Sequence, residues 1–186
     1  MVPLASLWLP TLVAAVLVFI ASNVIHMVLP YHRGDYRTLP SEDDVQAALR
    51  KFNIPTGDYM LPRPGSMGAM KDPSFRAKWE KGPVAVMTVM SGEFNMGATM
   101  VQWFLFCVVV TLFSGYLASR ALGPGEPYLR VSQIASCAAF MGYGLAAVPQ
   151  SIWYRKSWST TAKTLFDALI YGFVTGGTFG WLWPKI

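Results

Sequence analysis

Apolar positions along this chain gather into four long blocks, at 8–29, 100–119, 131–153 and 164–183, with one long polar stretch after the first. A helix needs about 20 predominantly apolar residues to cross the hydrocarbon core of a bilayer, and each block is long enough. The first two contain no Asp, Glu, Lys or Arg. The third is diluted by Ser132, Gln133 and Ser136, as suits a helix shielded from lipid by its neighbours. The pattern predicts an all-α membrane protein forming one membrane domain over 1–186: a four-transmembrane-helix bundle with a long loop, 30–97.

Two short amphipathic helices are expected in that loop. The string "SEDDVQAALRKF" opens with Ser41 and Asp44 at capping-box spacing. Val45, Ala48, Leu49 and Phe52 then repeat as one helical stripe over 41–52. In "DPSFRAKWEKG", Asp72 can cap, Pro73 suits the first turn, and Gly82–Pro83 ends a helix over 72–81. Phe75 and Trp79 lie one turn apart among Arg76, Lys78 and Lys81, a basic aromatic face suited to a membrane surface. A protein partner would use the same face. "VAVMTVM" at 84–90 is too short to cross and reads as an interfacial strand or a re-entrant segment. The similar strings "GDYRTLP" and "GDYMLP" read as two turns, and the embedded "RGD" as chance.

Composition agrees with the pattern. Hydrophobic residues make up 53% of the chain and charged ones 13%, against about 25% charged in soluble domains. The first block lacks the basic flank of a secretory signal, so it is expected to stay as an anchor. Cys107 and Cys137 fall inside blocks and act as small apolar residues. The net charge of +5 is unevenly placed. With four crossings, twelve of the fifteen Lys and Arg residues share the side of the long loop and of 154–163. The positive-inside rule then puts that loop in the cytoplasm and both termini opposite, in a bacterial-type inner membrane. The charge so explained calls for anionic lipid headgroups rather than nucleic acid.

Small residues suggest how the helices meet. Ala168, Gly172, Gly176 and Gly180 recur every four residues, a glycine-zipper row that lets another backbone approach closely. Thr111, Gly115 and Ser119 offer a matching row in the second block, and Ala138, Gly142 and Ala146 one in the third. Packing within one chain is expected over homodimerisation. Trp8, Trp103, Trp153, Trp158, Trp181 and Trp183 cluster near block ends, as interface anchors do.

The two histidines stand where the first block meets the first charges. Six residues of helix rotate by about 600°, and Pro30 intervenes, so His26 and His32 are expected on different faces. His32 reads as solvated beside Tyr31, Arg33 and Asp35. His26, Gln102, Gln150 and Asp167 each lie about a turn inside a block, with Asn23 one turn deeper. Ionisable groups in a membrane are costly and face the bundle, so these five are expected to converge, with Lys163 neutralising Asp167 from one turn away. Such a cluster is either a plug that fixes helix register or a small polar site. No cofactor and no metal is predicted, although a lipid or quinone head, a proton, a cation, or a haem shared by two chains through His26 would suit the chemistry.

No acyl-transfer triad, phosphate-cradling loop or HExxH motif appears, so catalysis is not expected. The reading is a non-catalytic accessory or structural subunit of a larger membrane assembly, of which respiratory and electron-transfer complexes are the examples. Its partners would be membrane lipids and other membrane subunits. The alternative is a small transporter or channel built around Asp167 and His26.

Overall fold

The computed structural model describes residues 1–93 and 95–185. It is mostly helical, and the chain divides into two compact units. One unit holds the N-terminal 36 residues and the segment from Asn95 onward; the other begins at Arg37.

The larger unit is a helix bundle. Its first helix, α1 (Trp8–Asn23), is entered by a 3-10 turn and leaves through a π turn, Val24–Val28. In the smaller unit come α2 (Glu42–Arg50), β1 (Gly57–Leu61), α3 (Pro73–Lys81) and β2 (Ala85–Val89). The bundle resumes with α4 (Met96–Ala121), α5 (Tyr128–Phe140), a π turn at Met141–Leu145, α6 (Ala147–Tyr154) and α7 (Trp158–Trp181). Three stretches, Leu4–Val28, Met96–Ala121 and Tyr128–Tyr154, are long and apolar enough to cross a membrane. The fourth block lies in α7, which is long enough but less apolar, because one of its faces carries Asp167, Thr175, Thr178 and the glycines.

That face is inside. Ala168, Tyr171, Gly172, Thr175, Gly176 and Phe179 are all buried. A Cβ on Gly172 would stand 3.0 Å from the Ser136 carbonyl oxygen, and one on Gly176 would overlap Ser136 Oγ and the Ser132 carbonyl. Ser132 Oγ also donates to the Gly176 carbonyl at 2.8 Å. On α4 the expected row is buried, with Thr111, Gly115 and Ser119 all inside, and the Phe179 ring lies over Gly115.

The third block keeps a close approach at Gly142, where a Cβ would stand 2.9 Å from Val110 Cγ1, but the rest of its expected row is displaced. Its buried positions are Val131, Ala135 and Ala139, then Gly144 and Ser151, and Ala146 is exposed. A π turn inserts one residue relative to a straight α-helix, so the inward face steps five residues, from Ala139 to Gly144. Two tryptophans expected as anchors are internal fasteners. Trp183 is buried and donates to the Gly123 carbonyl at 2.9 Å, and Trp103 Nε1 donates to Ser22 Oγ at 2.7 Å. Trp8, Trp153, Trp158 and Trp181 are exposed.

In the smaller unit, β1 and β2 pair antiparallel, with Tyr59 opposite Met87. This makes 85–89 a paired strand and excludes a re-entrant segment. It also corrects the reading of "GDYMLP": Gly57–Leu61 is a strand, whereas "GDYRTLP" is indeed turn and coil. Ser41 takes a left-handed conformation with φ 48° and makes no side-chain cap, so the expected capping box is not formed. Asp72 does cap α3, accepting from the Ser74 amide at 2.7 Å. Phe75 and Trp79 pack with their rings tilted by 43° and centroids 5.9 Å apart, beside exposed Arg76, Lys78 and Lys81. No described residue of 37–93 is buried.

Candidate functional site

The end of the first long helix builds the site. Pro30 restricts the residue before it to extended backbone, and Leu29 complies with φ −77° and ψ 137°. The helix therefore stops at Val28, its last turn widened so that the Leu29 amide reaches the Val24 carbonyl. Pro30–His32 then forms a 3-10 turn, extended by a bond from the Asp35 amide to the His32 carbonyl. The chain doubles back, and the rings of His26 and His32 lie 4.4 Å apart. This corrects the expectation of different faces, which counted Pro30 as an interruption but not where the reversal it brings would put His32.

Asp167 stands opposite the turn on α7, its side chain only 5% exposed. Its Oδ1 accepts from the Tyr31 hydroxyl. Its Oδ2 faces His32 Nε2 at 2.8 Å and His26 Nε2 at 4.0 Å. The latter separation is beyond hydrogen-bond reach. The other nitrogen of His32, Nδ1, meets Asp35 Oδ2 at 2.7 Å. Lys163 completes the chain of contacts, donating to Asp35 Oδ1 at 2.6 Å and to the Tyr31 carbonyl at 2.5 Å. Lys163 therefore neutralises Asp35 and not Asp167, as the one-turn spacing had suggested.

Of the five residues expected to converge, His26 and Asp167 meet. Asn23 turns its amide to the Phe19 carbonyl at 2.8 Å and lines a cleft beside His26. Gln102 and Gln150 are exposed and take no part. Equal depth does not imply a common face: on α4 the inward neighbours are Trp103 and Cys107. On α6 the π turn before it has passed the inward position to Ser151, which bonds Thr161 Oγ1 at 2.5 Å. Tyr31, His32, Asp35 and Lys163 were not expected as a set. Their signal was the proline one residue before "YHRGD", which demands a reversal at the helix end.

Tyr171 Oη and Thr175 Oγ1, further along the same face of α7, are buried without a hydrogen-bond partner among the described residues.

Electrostatics follow from the contacts. His32 has a carboxylate oxygen beside each ring nitrogen, so a proton on either one is donated to a carboxylate. Burial pushes the Asp35 carboxyl up, but the Lys163 ammonium and the His32 ring outweigh it and hold the group below its ordinary value. Burial and the bond to Asp167 push the Tyr31 hydroxyl up, so it stays protonated and donating. A carboxylate depressed in the fold adds stability above its unfolded pKa of about 3.9, lost as pH falls through the lower folded value. Asp35→Asn should therefore melt below wild type at pH 6, by roughly 1.5–3 kcal/mol. That gap should narrow below about pH 4, which thermal scans in detergent at both pH values would check.

Chemically, the site offers two imidazoles and one carboxylate with a ligand atom of each within 4.8 Å of the others, and Asp35 supports His32 from behind. No family model matches the chain, and neither a curated protein nor a solved structure was found to match it.

Proposed function

We propose that this protein crosses a bacterial-type cytoplasmic membrane four times and serves as a non-catalytic accessory or structural subunit of a larger membrane assembly. The fourth crossing is α7. Its inward face carries the polar and glycine residues, and its outward face presents Phe166, Leu169, Phe173 and Trp181, all exposed. An average over both faces hides an apolar exterior that suits lipid or a neighbouring subunit. The excess of Lys and Arg over 30–99 and 154–163 then favours those segments on the cytoplasmic side.

The observation that carries the subunit reading is the absence of a core in the smaller unit. Two helices and a two-stranded antiparallel sheet are formed between Arg37 and Glu93, yet no described residue there is buried. Phe52, Met67, Val86 and Met90 are exposed on it, as is Trp79. An element set with no interior gains its stability from a surface it lies on. The packed Phe75–Trp79 pair with its basic neighbours suits either headgroups or an acidic subunit face.

The second reading, a small transporter or channel, draws on the approach of His26 to Asp167 and on the clefts beside them. Against a channel lined by α7, Tyr171, Thr175 and Thr178 are buried within a single chain, and Thr178 spends its hydroxyl on the Val174 carbonyl at 2.7 Å.

Purification in mild detergent followed by native mass measurement tests the choice. The subunit reading expects heterologous membrane proteins in fixed ratio with this chain. A closed homo-oligomer alone would sink it.

A further inference from the structure

We infer that His26, His32 and Asp167 form a binding site for one divalent transition-metal cation of the zinc class, held at the end of the bundle where the first helix reverses. The proposal is independent of whether the chain belongs to a larger assembly.

The ligand atoms come first. His26 Nε2 and His32 Nε2 both face the same oxygen, Asp167 Oδ2, at 4.0 and 2.8 Å, and the three lie within 4.8 Å of one another. Tetrahedral ligands about 2.0–2.1 Å from zinc stand about 3.3 Å apart. The two distances to Oδ2 bracket that value, so small side-chain movements admit an ion. Two imidazoles and a carboxylate favour zinc, copper, nickel or iron over calcium and magnesium, which take oxygen ligands.

The surroundings are those a metal site needs and a chance ion pair does not. A ligating histidine commonly gives its other ring N–H to a carboxylate, which sets the tautomer and raises ligand basicity. His32 does so: its Nδ1 sits 2.7 Å from Asp35 Oδ2, and Asp35 is itself held by Lys163 at 2.6 Å. Asp167 is oriented in the same way, since Tyr31 occupies Oδ1 and leaves Oδ2 for the cation. A bound ion would take the lone pair of His32 Nε2, while Nδ1–H donates to Asp35.

His26 is the member that a purely structural ion pair does not explain. It reaches inward yet stops short of a hydrogen bond to Asp167, and its side chain is 49% exposed. It borders an open cleft of about 320 Å³, lined also by Asn23, Met27, Thr99, Met100 and Trp103. That cleft gives an ion its way in and leaves the fourth coordination position to water or to a partner's donor.

Zinc titration by calorimetry on the detergent-solubilised, chelator-treated protein tests the site, with cobalt(II) absorption reporting coordination. Wild type should bind one zinc per chain and melt at a higher temperature with it. His26→Ala breaks no hydrogen bond in the cluster, so it should melt like metal-free wild type while binding zinc at least tenfold more weakly. Asp35→Asn, which removes the partner of His32 without touching a ligand, should weaken binding about 10–100-fold. Wild type that takes up no zinc, or a His26→Ala protein that binds it equally well, would overturn the proposal.

Discussion

Gly176→Ala is expected to cost about 3 kcal/mol, the upper end of what an inserted methyl does in a well-packed interior. The added carbon would overlap Ser136 Oγ, which can rotate, and the Ser132 carbonyl oxygen, which cannot. The helix backbones must therefore part, and parting them strains the bond from Ser132 Oγ to the Gly176 carbonyl. If α7 crosses the bilayer as proposed, no hydrophobic gain restores the contact, since lipid tails are as apolar as the side chains and close packing is what holds helices together. Gly177→Ala is the control. There the new carbon meets only Tyr128 Oη, at 3.3 Å, and the gain in helix propensity of about 1 kcal/mol offsets that tight contact. Thermal unfolding in detergent, followed by circular dichroism, should separate the two variants. Equal melting temperatures would mean that α5 and α7 are not in backbone contact at this point.

How far the sequence reaches is clear from these same helices. Four-residue spacing of small groups exposes the packing face of α7 directly, because an unbroken α-helix turns the spacing into a stripe. The same logic slips by one residue in the third block. Pro149 in "AFMGYGLAAVPQ" announces a break near the Leu145 carbonyl but not its form, a π turn that moves Gln150 out and Ser151 in. Depth counting has a different flaw. It ranks Gln102 beside His26 without asking which side of α4 it is on, and the buried positions of that helix answer against it.

The candidate site was half legible. Asp167 and His26 stand inside apolar blocks of the sequence, where an ionisable group is expected to be costly, and that expectation alone marks them. Their partners come from a reversal, and a reversal brings together residues that a periodic reading separates. Asp35 was hidden inside "RGD", and Lys163 pairs with it rather than with the nearer acid on its own helix. In the smaller unit, the short apolar run 84–90 was ambiguous alone. Its partner strand, Gly57–Leu61, lies more than twenty residues earlier and carries no hairpin turn to point to it.

Asp167 bears the second large effect, and the choice of replacement decides its size. Asp167→Ala strands the Tyr31 hydroxyl and leaves His32 without its second carboxylate. Removing one partner from a buried ion pair costs about 3–5 kcal/mol, and the end of the first helix should come loose from α7. Asp167→Asn should cost only about 1 kcal/mol, the net worth of an ordinary hydrogen bond. Its carbonyl oxygen still accepts from Tyr31, and its amide donates to His32 Nε2, provided that His32 is neutral with its proton on Nδ1. That tautomer is the one Asp35 already favours from the other side of the ring. Lys163 and Asp35 then balance each other, and no charge is left over. The contrast between Ala and Asn therefore reports hydrogen-bond geometry rather than charge, and thermal melting of the two purified variants measures it. An Asn variant as unstable as the Ala one would show that His32 must carry two protons. If the asparagine protein is stable but loses ion flux in reconstituted vesicles, the transporter reading gains what the subunit reading loses, because the fold will have survived the change that stopped the movement.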